Sequence, residues 1–98
     1  MVEVIWSTIA ITRVKEIHSY YKFKSQKAGD KIVQDFKAAT NTLSQFPEMG
    51  TLEPTLADGS VNYRYILVRN IYKIIYFIEE CTVFIITIWD CRQEKNYI

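Results

Sequence analysis

Three apolar runs fill the last third of the chain, and each has the length of a β-strand. They cover residues 61–68, 71–78 and 81–89 and are rich in Ile, Val, Tyr and Phe, which favour strands. Each run is separated from the next by only two residues, first Arg69-Asn70 and then Glu79-Glu80. Because joints this short connect antiparallel neighbours, the pattern predicts a three-stranded antiparallel meander.

The first half of the chain has helical periodicity, preceded by a short alternating segment at residues 2–6 that predicts a strand. Apolar residues recur at steps of three and four over residues 8–23 and again over residues 26–46. A serine stands directly before each stretch, where its side chain can cap a helix N-terminus. Pro47 cannot continue the second helix and disfavours helical geometry at the residue before it. The pattern therefore predicts two helices joined as a hairpin.

Residues 47–60 contain both prolines and two of the three glycines, so we predict a loop with a turn at Asp58-Gly59. The order of elements is then strand, helical hairpin, loop and three-stranded meander. Helices on one face of a mostly antiparallel sheet form a two-layer α+β fold, and residues 1–98 have the length of a single domain. Periodicity leaves open whether the N-terminal strand joins the third or the first strand of the meander.

Composition narrows the classes of function. The 98 residues are 49% apolar and 23% charged, as in an ordinary globular protein, and the net charge of +1 gives no overall attraction to nucleic acid. Cys81 and Cys91 lie at opposite ends of the last predicted strand, beyond disulfide reach, and one histidine cannot complete a zinc site. The apolar run before Asp90 has about half the length that a bilayer requires. We expect a soluble cytoplasmic protein with reduced thiols, no metal and no cofactor.

Several short motifs, in this order and spacing, resemble the RelE/ParE superfamily of bacterial type II toxins. They are Trp6-Ser7-x-x-Ala10, Ser25-x-x-Ala28, Leu43-x-x-x-Pro47-x-x-Gly50, Tyr63-Arg64, Tyr72-Lys-Ile-Ile-Tyr76 and Ile88-Trp-Asp-Cys-Arg92. The resemblance extends over nearly the whole chain. It implies the two-layer fold predicted above and a toxin that inhibits growth until a cognate antitoxin neutralises it.

The resemblance also implies a chemistry. Ribosome-dependent members of the superfamily cleave mRNA by attack of a 2′-hydroxyl on the adjacent phosphate. Such a reaction needs cations around the phosphate and an acid or base at the attacking and leaving oxygens. Carried over by position, the catalytic groups of the family fall on Arg64, Lys73, Arg92 and Tyr97.

The sequence departs from the mRNA-cleaving pattern in three places. Ile66 replaces a second strand lysine, Asp90 stands among the expected cations, and residues 48–62 contain three acids but no Lys or Arg. The long helices of the hairpin and this acid-bearing loop fit equally well with ParE-like members, which poison DNA gyrase and lack the catalytic set. The four candidate residues together lean slightly towards mRNA cleavage. A third alternative is a degenerate toxin that serves only as an antitoxin-binding module.

The implied partners are a cognate antitoxin and either the ribosome with mRNA or, in the alternative, DNA gyrase. An antitoxin segment is expected to shield Trp6, Ile9 or the edge of the meander. Four lysines at the junction of the two helices are candidates for contact with RNA phosphates by charge alone. They are Lys22, Lys24, Lys27 and Lys31.

The arginine and lysine candidates also have a purely structural interpretation. Arg64 and Lys73 can simply occupy the solvated face of an antiparallel sheet. Arg92 can form a surface ion pair with Asp90 or Glu94, a contact that contributes little stability. The lysines at the helix junction can be an ordinary solvated hairpin end.

Overall fold

The computed structural model describes residues 1–57 and 59–93. Five strands occur in this part of the chain: β1 (Glu3–Trp6), β2 (Thr51–Leu52), β3 (Arg64–Val68), β4 (Tyr72–Glu79) and β5 (Thr82–Asp90). The helices are α1 (Thr8–Lys24) and α2 (Gln26–Gln45), and the 3₁₀ turns Pro47–Met49 and Pro54–Leu56 flank β2. The predicted helical hairpin and meander are thereby confirmed.

The strands of the described residues form one mixed sheet in the order β1-β5-β4-β3-β2. The meander β3-β4-β5 is antiparallel as predicted, but the sheet is larger than three strands. β1 lies parallel beside β5, with Trp6 opposite Ile85, so the N-terminal strand joins the third strand of the meander. β2 pairs antiparallel with β3, with Leu52 opposite Arg64. The prediction of a plain loop was wrong at β2 because two residues are too few to show a periodicity.

Both predicted helix caps are present. Ser7 Oγ accepts a hydrogen bond of 3.0 Å from the Ala10 N–H, and Ser25 Oγ accepts one of 3.0 Å from the Ala28 N–H. These bonds satisfy backbone donors that have no partner in the first turn of a helix. Ser7 Oγ also donates to the Ile86 carbonyl at 2.6 Å, which ties the start of α1 to β5.

The helices cover one face of the sheet, which we call the helix face. Alternate residues of β4, namely Tyr72, Ile74 and Tyr76, point to this face and are at most 2% exposed. The core on this side also contains Ala10, Ile32, Phe36, Leu43, Ile66, Val68, Val83, Ile85 and Ile88. The intervening residues of β4, including Lys73, point to the opposite side, which we call the open face.

The two meander turns have left-handed backbone conformations. Arg69 and Asn70 have φ of 57° and 56°, and Glu80 and Cys81 have φ of 49° and 63°. Such paired values suit the twist of a two-stranded hairpin. The first turn lies where the sequence predicts it. The second lies one residue later than predicted, because Glu79 still pairs with Thr82.

Candidate functional site

Arg64 lies on the helix face of β3, between β2 and β4 and close to the segment that follows α2. It stands opposite Tyr76 in the register of β3 and β4, so both side chains point to the same side. Its Nη1 donates to the Gly50 carbonyl at 2.8 Å and to the Glu48 carbonyl at 3.4 Å. These contacts hold the segment after α2 against the sheet.

Tyr76, the neighbour of Arg64 on β4, binds the same segment after α2. Its buried hydroxyl donates to the Pro47 carbonyl at 2.7 Å and accepts from the Gly50 N–H at 2.9 Å. Burial raises the pKa of Tyr76, and the bond from Gly50 and the charge of Arg64 offset this only in part. The hydroxyl therefore stays protonated and serves as a fixed bridge between two backbone groups.

Lys73 lies on the open face and forms the most buried ion pair in the described residues. Its Nζ is 2.6 Å from Glu53 Oε1 and 4.2 Å from the centroid of the Tyr65 ring. The Glu53 side chain is 1% exposed and also accepts hydrogen bonds from the Thr55 N–H and hydroxyl, at 3.1 and 2.7 Å. Burial by itself would raise the pKa of Glu53, but the hydrogen bonds from Lys73 and Thr55 outweigh it, and the pKa is lowered.

Arg92 follows β5 and is paired with Asp90 through two hydrogen bonds. The Nε–Oδ1 and Nη2–Oδ2 distances are 3.0 and 2.8 Å. These bonds lower the pKa of Asp90, which remains ionised. The guanidinium carbon of Arg92 lies 5.9 Å from the Tyr72 ring centroid, and 56% of its side chain is exposed. The structural interpretation of Arg92 as a surface partner of Asp90 matches this geometry.

A groove of about 500 Å³ lies beside Arg92, between α1 and the end of β5. Arg13 and Glu16 line one side, at an Nη1–Oε1 distance of 3.4 Å, and Asp90 lies with Arg92 on the other. The Tyr72 hydroxyl, which forms part of the groove, bonds to the Tyr21 hydroxyl at 3.3 Å. Among the described residues that line the groove, Arg13 is beside Glu16 and Arg92 is beside Asp90, so these four side chains together carry no net charge.

The structure does not bring the described catalytic candidates together. Arg64 is on the helix face and Lys73 is on the open face. Arg64 and Arg92 share the helix face, but one stands opposite Tyr76 and the other beside Tyr72, positions separated by about 13 Å along β4. Tyr97 lies outside the described residues. The catalytic roles of all four residues stay a prediction.

The four lysines at the helix junction are gathered at one exposed end of the molecule. Lys22 and Lys24 end α1, whereas Lys27 and Lys31 lie in the first turns of α2. All four are exposed, and within residues 1–57 and 59–93 none of them forms an ion pair. Lys24 Nζ lies 4.9 Å from the centroid of the Tyr20 ring.

Residues 4–95 of the chain match the profile of a protein family described as the ParE toxin of the type II toxin–antitoxin system parDE. The chain belongs to this toxin family. A solved chain titled "Chromosomal ParDE TA system from P. aeruginosa" shares the fold at a TM-score of 0.74 and 18% identity, over 92% of this chain and 96% of that one. Among curated proteins, no significant match was found. The resemblance to the RelE/ParE superfamily is confirmed.

Two residues of the toxin's described sites were not singled out by the sequence. Glu53 stands in an acidic loop and has no local feature that indicates burial. Phe23 is 94% exposed at the end of α1. It falls outside the apolar stripe of α1 and between two lysines, a signal that was available in the sequence.

Neither a membrane span nor a metal site is found among residues 1–57 and 59–93. Neither helix combines the length and the apolar character that a membrane span requires, and no group of three His, Cys, Asp or Glu side chains is placed to hold a metal ion.

Proposed function

We propose that the toxin inhibits growth by binding and poisoning DNA gyrase, as the resemblance implies for ParE-like members, and not by cleaving mRNA. The observation that supports this proposal is the separation of Arg64, Lys73 and Arg92. A phosphoryl-transfer site stabilises developing charge by holding its cations around one phosphate. Side chains on opposite faces of a sheet cannot meet at one phosphate without rearrangement of the fold.

The existing partners of these cations support the same proposal. The Arg64 guanidinium binds backbone carbonyls, the Lys73 ammonium binds a buried carboxylate, and the Arg92 guanidinium binds Asp90. Release of Lys73 would leave the Glu53 charge buried and unpaired, which is strongly unfavourable. A surface that binds a protein target needs no such release.

We further propose that a cognate antitoxin neutralises the toxin. The P. aeruginosa structure comes from a toxin–antitoxin system, which supports a protein partner of that kind. Trp6 is half-buried and Ile9 is 45% exposed beside the β1 edge of the sheet, and β2 pairs with only Arg64 and Tyr65 of β3. Either edge offers backbone groups and apolar side chains to an added segment.

The mechanism can be tested by pulse-labelling of DNA and protein synthesis in cells within minutes of inducing the toxin alone. The proposal expects DNA synthesis to fall first, and purified toxin to increase the cleaved DNA formed by purified gyrase. If protein synthesis falls first, the proposal is overturned in favour of ribosome-dependent mRNA cleavage. If neither falls, the chain acts only as an antitoxin-binding module.

A variant sharpens this test without altering the core. Arg92→Gln removes an exposed cation, and Arg13→Gln provides a matched control on the other side of the same groove. Under the proposal, both variants inhibit DNA synthesis within a few-fold of the unaltered toxin. Loss of growth inhibition in Arg92→Gln alone would favour a catalytic role for that residue.

A further inference from the structure

The tip of the helical hairpin, residues 20–31, carries an excess of positive charge. Four lysines and one aspartate occur there, whereas acids outnumber bases in the rest of the sequence. The aspartate, Asp30, accepts a hydrogen bond of 3.0 Å from Gln26. The net charge of +1 therefore conceals a strongly cationic end.

One of these lysines occupies an electrostatically unfavourable position. Lys27 is in the first turn of α2, where the helix macrodipole is positive, and this turn contains no acidic residue. Lys22 and Lys24, in the last turn of α1, stand where the dipole favours a cation. Helix stability thus accounts for the lysines of α1, but it does not account for Lys27.

An aromatic side chain projects from the middle of the cationic tip. Phe23 is 94% exposed and lies between Lys22 and Lys24, while the neighbouring Tyr20 is 54% exposed. Exposed aromatic rings surrounded by lysines are the combination that binds single-stranded nucleic acid, because rings stack on bases and ammonium groups contact phosphates.

We propose that the hairpin tip is a nucleic-acid-binding surface, on which Phe23 stacks on an unpaired base and the surrounding lysines contact the backbone phosphates. A membrane surface fits less well, because an interfacial helix needs a broad apolar face. The apolar stripe of α1, which includes Ala10 and Ile17, packs inward against the core. The inference goes beyond gyrase poisoning and is testable without gyrase, so that either proposal can fail alone.

The first experiment measures binding of the whole toxin to a fluorescently labelled single-stranded DNA of mixed sequence by anisotropy, over a range of salt concentrations. Four phosphate contacts predict a slope of about −3 for log K against log salt. Replacement of Lys22, Lys24, Lys27 and Lys31 by Gln should abolish measurable binding. The control, Lys15→Gln with Lys37→Gln, removes two exposed lysines of the same helices outside the tip and should bind normally.

The second variant tests the stacking role of the ring. Phe23→Ala should weaken binding about tenfold and leave the salt slope unchanged, because a stacked base contributes affinity without releasing counterions. Phe46→Ala, at a 62% exposed phenylalanine beyond the other end of α2, is the matched control and should bind normally. Binding that is insensitive to both tip variants would overturn the proposal. Tight binding to anionic lipid vesicles with none to DNA would overturn it in favour of a membrane surface.

Discussion

The hairpin tip and the segment after α2 lie at opposite ends of α2 and use their charged residues differently. At the tip, four lysines are exposed without ion-pair partners in the described chain, around a fully exposed aromatic ring. Around the segment after α2, the Arg64 guanidinium binds backbone carbonyls. The Lys73 ammonium pairs with the Glu53 carboxylate. The cations that suggest catalysis in the sequence are therefore engaged in contacts within the fold, whereas the four lysines of the tip form no ion pair among the described residues.

The largest expected effect comes from breaking the ion pair on the open face. Lys73→Met should lower the free energy of unfolding by about 3 kcal/mol at neutral pH, because it leaves the Glu53 carboxylate buried without its cation. Chemical denaturation measures the change. Lys37→Met, at an exposed lysine of α2, is the control and should change stability by less than about 0.5 kcal/mol. An equal, small effect of both substitutions would show that the pair contributes little.

The contribution of Glu53 to stability should depend on pH in opposite ways in the unaltered toxin and in Lys73→Met. In the unaltered toxin, the folded-state pKa of Glu53 lies below its ordinary value. The stabilisation by the ionised carboxylate is therefore complete when the pH is above the ordinary pKa, and it is lost as the pH falls through the folded-state pKa. In Lys73→Met, burial without the cation raises this pKa, and protonation then favours the folded state. The stability difference between the two proteins should shrink between pH 7 and pH 4. A constant difference would rule out this linkage.

The next largest effect is expected at Gly50, where the backbone after α2 closely approaches the Tyr76 hydroxyl. A Cβ atom at Gly50 would collide with the Tyr76 hydroxyl and would lie 2.8 Å from the Tyr65 carbonyl oxygen. Gly50→Ala should therefore lower the free energy of unfolding by about 2 kcal/mol. Combined with Tyr76→Phe, which removes the hydroxyl, it should cost less than the sum of the two single changes. Strict additivity would place the strain elsewhere.

Arg64→Ala tests whether this arginine acts in the fold or in chemistry. Loss of its bonds to the Gly50 and Glu48 carbonyls should reduce the free energy of unfolding by about 1.5 kcal/mol. Growth inhibition by Arg64→Ala should decrease only in proportion to the fraction of the variant that is folded. Arg13→Ala is the surface control. Abolished toxicity in a variant that is as stable as the original toxin would return Arg64 to an active site.

The smallest effect separates stability from binding at the tip. Lys27→Glu should raise the free energy of unfolding by about 0.5 kcal/mol, because an acid suits the N-terminus of α2, while nucleic-acid binding weakens. Lys22→Glu makes the same charge change in the last turn of α1 and should lower stability by a similar amount with the same loss of binding. Stability changes of equal sign would show that the helix dipoles have no influence there.

The sequence predicts the elements whose signals are local. Each serine cap contacts an N–H only three residues away, and Pro47 stops α2 by its own geometry. The short strand β2 is different because it depends on pairing with β3 across the intervening loop, and the one-residue shift of the second turn depends on the register between β4 and β5. A run of strand-forming residues cannot indicate that Glu79 pairs with Thr82.

The candidate site was less predictable because its contacts are distant in sequence. Which face Arg64 occupies depends on its register opposite Tyr76, and its carbonyl partners are 14 and 16 residues away. The burial of Glu53 depends on Lys73, 20 residues later. The lysines of the tip were visible in the sequence because the two helices meet in a short local turn.

The parallel pairing of β1 with β5 has a consequence for the order in which the chain folds as it is made. β1 is an edge strand whose one neighbour is β5, and the Ser7–Ile86 hydrogen bond spans 79 positions. The helical hairpin contains mostly local contacts and can form early, but β1 must wait for the last strand to be synthesised. A nascent chain that has not yet reached β5 can therefore contain the helical hairpin but not the complete sheet. Completion of the sheet therefore requires that residues 82–90 have been synthesised, although β1 is made first.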